Sequence, residues 1–129
     1  MNLTLRDMTV LQTDQMTITG IPNADAERFT INIGHGEGDV ALNFNVDFNS
    51  KRVVMKTLQG GSGSHEQTLD SFPFDKGQVF KVVISFSSEK FTIKMPADTI
   101  TNYTNNFGAD KFRFIQVLQD LRIKGFNID

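Results

Sequence analysis

The chain has 129 residues, no cysteine, and 13 Lys and Arg against 15 Asp and Glu, for a net charge of -2. That length specifies one domain, residues 1–129, able to bury a core unaided. The absence of cysteine excludes a disulfide framework, thiol chemistry and cysteine-based metal sites, and the charge balance offers no basic face for nucleic acid. The first residues, Met1-Asn2-Leu3-Thr4-Leu5-Arg6-Asp7, are not a basic start followed by an apolar run, and nothing approaches the ~20 apolar residues of a membrane span. Synthesis in the cytosol without a signal peptide and without membrane insertion is expected, with any extracellular role reached by non-classical secretion.

Read for period 2, the chain predicts strands over 3–10, 15–20, 28–34, 40–48, 52–59, 66–69, 79–86, 90–95, 99–103, 112–118 and 121–128. No segment holds a helical period over three turns. Short strands at even spacing predict an all-β sandwich or barrel. Residues 34–39, Gly-His-Gly-Glu-Gly-Asp, have neither the spacing nor the following helix of a phosphate loop and read as a hairpin connection. Residues 60–64, Gly-Gly-Ser-Gly-Ser, read as a mobile loop. With 12 Phe against one Tyr and no Trp, the aromatic set is one of core residues, since phenylalanine has no polar handle.

The segment from Asp39 to Phe48 carries the functional signal. Leu42, Phe44, Val46 and Phe48 share one face; Ala41, Asn43, Asn45 and Asp47 share the other, a row of short hydrogen-bonding groups without a nucleophile. Thr30 and Asn32 are expected on that same face as solvated positions. His35 and His65 lack the partners a metal or catalytic role requires, and no cofactor is expected.

Several segments resemble the galectin family, soluble β-sandwich lectins for β-galactosides, and most closely the proto-type, congerin-like fish members. The frame carries the resemblance: Phe72-Pro73-Phe74-Asp75-Lys76-Gly77-Gln78-Val79-Phe80 matches the F-P-F-x-x-G-x-x-F stretch, followed by Ile84-Ser85-Phe86 and Phe91-Thr92-Ile93. Phe29-Thr30-Ile31-Asn32-Ile33-Gly34 and Leu121-Arg122-Ile123-Lys124-Gly125-Phe126 fit as well. The resemblance implies a two-sheet antiparallel sandwich of jelly-roll type, no enzymatic activity, glycan partners and a homodimer.

The family's sugar motif, H-x-N-P-R, a histidine, V-x-N and W-x-x-E-x-R, is largely replaced. Its first histidine falls on Asn43, its asparagine on Asn45, its proline on Val46 and its arginine on Asp47. Further on, the second histidine falls on Lys51, the V-x-N asparagine on Lys56, the tryptophan on Gly63, the glutamate on Glu66 and the last arginine on Thr68. Only Asn45 and Glu66 keep their residue. The lost stacking platform corresponds to about 1–3 kcal/mol, by analogy with bases stacked on aromatics, and Asp47 turns a five-donor fork into an acceptor. The resemblance therefore implies a site of Asn43, Asn45, Asp47, Lys51, Lys56 and Glu66 that binds β-galactosides weakly or with altered specificity, including mannose-type sugars. Two such sites in a dimer would cross-link glycans. The alternative is a sugar-silent structural or protein-interaction module in which Asp47 and Lys56 form an exposed ion pair.

Overall fold

The computed structural model describes residues 2–129. The described residues form eleven strands and no helix: Leu3–Leu11 (β1), Met16–Pro22 (β2), Arg28–Gly36 (β3), Asp39–Asp47 (β4), Arg52–Gln59 (β5), Ser62–Thr68 (β6), Phe80–Phe86 (β7), Lys90–Met95 (β8), Thr99–Thr104 (β9), Lys111–Gln119 (β10) and Leu121–Ile128 (β11). They pair antiparallel into a six-stranded sheet, ordered β1-β10-β3-β4-β5-β6, and a five-stranded sheet, ordered β11-β2-β7-β8-β9. Of the sandwich or barrel that the strand periodicity allows, this is the two-sheet sandwich that the resemblance implies. The chain's first and last strands form an edge of their respective sheets, and β6 and β9 form the opposite edges.

Alternation decides what lies between the sheets. Leu42, Phe44 and Val46 of β4 are fully buried, as are Phe29 and Ile31 of β3 and Val82 and Ile84 of β7. The Phe29 ring stacks on Phe80 at 4.9 Å, and Phe74 sets its edge against both. A second aromatic group, Phe86, Phe91 and Phe112, fills the other end with centroids 5.0 to 5.7 Å apart. Tilted and edge-to-face pairs of this kind add about 0.5–1.5 kcal/mol each beyond area burial.

Two hairpins depart from simple alternation. Between β3 and β4 a register shift lets the strands approach so closely that a Cβ on Gly34 would stand 2.3 Å from the Asp39 carbonyl oxygen and 2.7 Å from the Val40 Cα. Only glycine fits there. Residues 60–64, expected to be a mobile loop, are instead a tight connection: Gly60 and Gly61 take φ of 58° and 82°, and β6 begins at Ser62. Two successive positive φ values match the right-handed twist of a hairpin. The turn is also anchored, because Gly61 donates its N–H to the Gly38 carbonyl at 3.0 Å and Gly60 to Asp39 Oδ1 at 3.2 Å.

Truncating Phe44 to alanine is expected to cost about 3–5 kcal/mol by leaving a cavity between the sheets. Urea unfolding followed by far-ultraviolet circular dichroism measures it, since the chain has no tryptophan. A loss under about 1 kcal/mol would place that ring outside the core.

Candidate functional site

The outer face of the six-stranded sheet is built by the residues that β4 turns away from the core. Register sets Thr4 opposite Gln116, Gln116 opposite Asn32, Asn32 opposite Asn43, and Asn43 opposite Lys56. A neighbouring row sets Leu118 opposite Thr30, Thr30 opposite Asn45, and Asn45 opposite Val54. Thr30 and Asn32 do share the face of Asn43 and Asn45, but they are not solvated: Thr30, Asn32 and Asn43 are 9%, 7% and 8% exposed. Neighbouring side chains cover them, and buried amides then need partners.

Those partners are one another. Asn43 donates from Nδ2 to Asn32 Oδ1 at 2.7 Å, Asn32 from Nδ2 to Gln116 Oε1 at 3.1 Å, and Gln116 from Nε2 to Thr4 Oγ1 at 3.3 Å. In the second row Thr30 Oγ1 lies 3.3 Å from both Asn45 Oδ1 and Gln119 Oε1. The Asn43 carbonyl oxygen and the Asn45 amide nitrogen take no partner among the described residues. One acceptor and one donor are thus held on adjacent side chains, the arrangement that recognises hydroxyl groups.

The charged candidates distribute differently from expectation. Asp47 and Lys56 do not pair: Asp47 stands opposite Arg52, and Lys56 opposite Asn43. Asp47 Oδ1 instead accepts the N–H groups of Asn49 and Ser50 at 2.9 and 3.2 Å, closing the β4–β5 turn as an Asx motif. The one ion pair among the described residues is Arg6 with Glu37. Lys51 sits in that turn at φ 54° and lines a cavity of about 300 Å³ with Phe48, Phe72, Phe74, Asp75 and Lys76. Glu66 is exposed on β6, where residues 65 and 66 bulge opposite Lys56 between the pairs Met55–Gln67 and Thr57–Ser64. At Gly63 a Cβ would meet Lys56 Cδ at 3.3 Å and Cε at 3.7 Å, so the aliphatic stem of Lys56 lies where a side chain at 63 would rise.

The sequence placed Asn32 on this face but not in a buried row, and Gln116, Thr4 and Tyr103 were not legible as part of the constellation. The buried Tyr103 hydroxyl, reaching from β9, lies 2.8 Å from Thr57 Oγ1 and donates to the His65 carbonyl at 2.9 Å. Asn106 Nδ2 reaches Thr57 Oγ1 at 2.9 Å, and Gln67 Nε2 donates to the Asn102 carbonyl at 3.1 Å. All seven residues of β6 are exposed, so these bonds and its pairing with β5 hold the strand carrying Glu66. A hollow of about 370 Å³ lies beside His35, Asp39, Gln59, Asn106 and Phe107. Its lining includes neither Asn43 nor Asn45, and it is open, whereas the amide rows form a floor. Among the described residues no cluster of His, Asp and Glu is suited to a metal.

A two-sheet sandwich presenting fixed amides on a rigid sheet is a binding scaffold. The family described as galactoside-binding lectin matches residues 3–128. Among similar proteins, the galactose-binding lectin l-1 of Anguilla japonica is 29% identical over 119 residues, covering 89% of this chain and 84% of the relative. The β-galactoside-binding lectin of Electrophorus electricus is 37% identical over 95 residues, covering 70% and 74%. The solved galectin-1-L2 of Danio rerio superposes with a TM-score of 0.94 at 30% identity, covering 98% and 99%. CG-16, a homodimeric agglutinin from chicken liver, shares the fold with a TM-score of 0.94 at 23% identity over the whole of both chains. The chain belongs to the galactoside-binding lectins, the galectins, a family of carbohydrate-binding lectins and not of enzymes.

Removing the phenolic hydroxyl with Tyr103→Phe should cost about 1–3 kcal/mol, because it orphans buried polar groups around Thr57 and His65. Burial, opposed by the bonds to Thr57 and Asn106, holds the Tyr103 phenol above its ordinary value of 10.0. The neutral form is therefore favoured by folding. The stability it contributes is complete below pH 10, the unfolded value, and is lost as pH rises through the folded one. Urea titrations across that alkaline window should show a decline that the phenylalanine variant lacks.

Proposed function

We propose that this chain binds β-galactosides weakly or with altered specificity, extending to mannose-type sugars, and cross-links glycans as a homodimer. The observation that carries the reading is the pair of open groups on the outer face, Asn43 Oδ1 and Asn45 Nδ2, flanked by the half-buried Lys56 and by Glu66. The family supports a sugar ligand. Departure from ordinary galactoside affinity is supported by Gly63, which offers no platform and is overlaid by the Lys56 stem, and by the commitment of Asp47 to its turn. Those two features also favour the second reading, a sugar-silent interaction module. Lys51 extends the site from the β4–β5 turn, and Asp47 contributes by shaping it.

Calorimetric titration with lactose and with methyl α-mannoside at millimolar concentration separates the two readings. Binding is expected, with Asn45→Ala and Glu66→Ala each weakening it by about 1–3 kcal/mol, the cost of leaving a ligand hydroxyl unpaired. Lys56→Ala and Asp47→Ala should cost less. No binding to the wild type would leave the interaction module standing.

Dimerisation is supported by the uncovered edges of β1 and β11, where Leu3, Leu5, Ile123 and Phe126 pack only partly against the core. Light scattering at tens of micromolar should give twice the chain mass, and a monomer there would remove cross-linking from the function. Release by non-classical secretion is part of this proposal; among the described residues no helix is long and apolar enough to cross a membrane.

A further inference from the structure

We propose that Gln116 and Asn32 are positioning residues which, together with Lys56, set Asn43 to present a hydrogen-bond acceptor to the ligand. The inference rests on the sugar-binding reading above and adds what that site selects: a saccharide hydroxyl that gives its proton to Asn43 Oδ1.

The bonds from Asn43 to Asn32, from Asn32 to Gln116 and from Gln116 to Thr4 run in one direction across four adjacent strands. Every amide nitrogen faces β1. Every carbonyl in the row therefore faces β5, and the last of them, Asn43 Oδ1, is the one left open. Neither Asn32 nor Asn43 can turn over alone, because two NH2 groups or two carbonyl oxygens would then face each other at the buried centre of the row. All three can turn together, since a threonine hydroxyl donates as readily as it accepts; the reversed row would offer Asn43 Nδ2 instead. Lys56 breaks that symmetry. It stands directly opposite Asn43 in register, half-buried, with its stem laid over Gly63 and no ion-pair partner among the described residues. A positive charge on the β5 side of the row favours the carbonyl end of the Asn43 amide dipole there. The ligand then meets an acceptor at Asn43 beside donors at Lys56 and Asn45 Nδ2, which selects neighbouring hydroxyls of which one donates and the next accepts.

The free protein provides the first test. Side-chain amide protons of Asn32 and Asn43, followed by nitrogen-15 NMR, should exchange slowly in the wild type and faster in Gln116→Leu; unchanged exchange at both residues would overturn the coupled row. This readout needs no sugar, so it separates failure of the row from failure of the lectin reading, which would show as no binding of methyl β-galactoside to the wild type. The second test titrates methyl β-galactoside and its deoxy and deoxyfluoro analogues. Fluorine accepts weakly but never donates, so at one ring position the fluoro sugar should bind as poorly as the deoxy sugar. Asn32→Leu should weaken binding about tenfold, while Asn32→Asp should stay within about threefold, because a carboxylate only accepts and keeps Asn43 Nδ2 turned inward. Equal losses in the two variants, or no loss in either, would overturn the proposal.

Discussion

The period of two in β4 is the constraint on which the rest of this molecule depends. Once Leu42, Phe44 and Val46 enter the aromatic core, Asn43, Asn45 and Asp47 are committed to the outer face. A slip of one residue would drive amides and a carboxylate among phenylalanine rings, at several kcal/mol for each unpaired group. The neighbouring strands inherit the choice, because β3 and β10 must then offer Asn32 and Gln116 where β4 offers Asn43. Core and amide row are two faces of one commitment, and the rigidity of the first fixes the geometry of the second.

What could be read in advance follows from this. Strand existence and face were legible because burial imposes alternation, and the frame from Phe72 to Phe80 places its rings where the sheets close. Register was not. Asp47 and Lys56 lie on the same face in any reading, but whether they meet depends on the turn that Asp47 itself closes, which sets Asp47 opposite Arg52 and Lys56 opposite Asn43. Burial of polar side chains was equally hidden, since Thr30 and Asn32 are covered by residues far away in sequence. The glycines at 60 and 61 announced a turn, but Gly63 and its flanking serines looked like more of the same loop when they are strand. Tyr103 gave one signal, its being the sole tyrosine among many phenylalanines, a hydroxyl that burial obliges to find a partner.

The family resemblance named candidate site residues one by one, and the structure gives several of those positions other physical roles. Asp47 turned from a ligand-facing group into a turn-closing one, and Lys56 took the space above Gly63 as well as the place of an asparagine. Residues the motif does not mention, Asn32 and Gln116, are the ones hydrogen-bonded in a row to Asn43.

One consequence of β6 concerns how this face can change. No side chain of that strand enters the core, and its attachment runs through backbone pairing with β5, the clasp from Tyr103 to the His65 carbonyl, a main-chain group, and one side-chain bond, from Gln67 to the Asn102 carbonyl. Substitutions along Ser62–Thr68 therefore alter what the rim of the groove offers a ligand while leaving the packing between the sheets untouched. Ligand preference on this side can drift through successive sequences almost independently of folding, whereas the amide row on β3, β4 and β10 cannot change one member without the next.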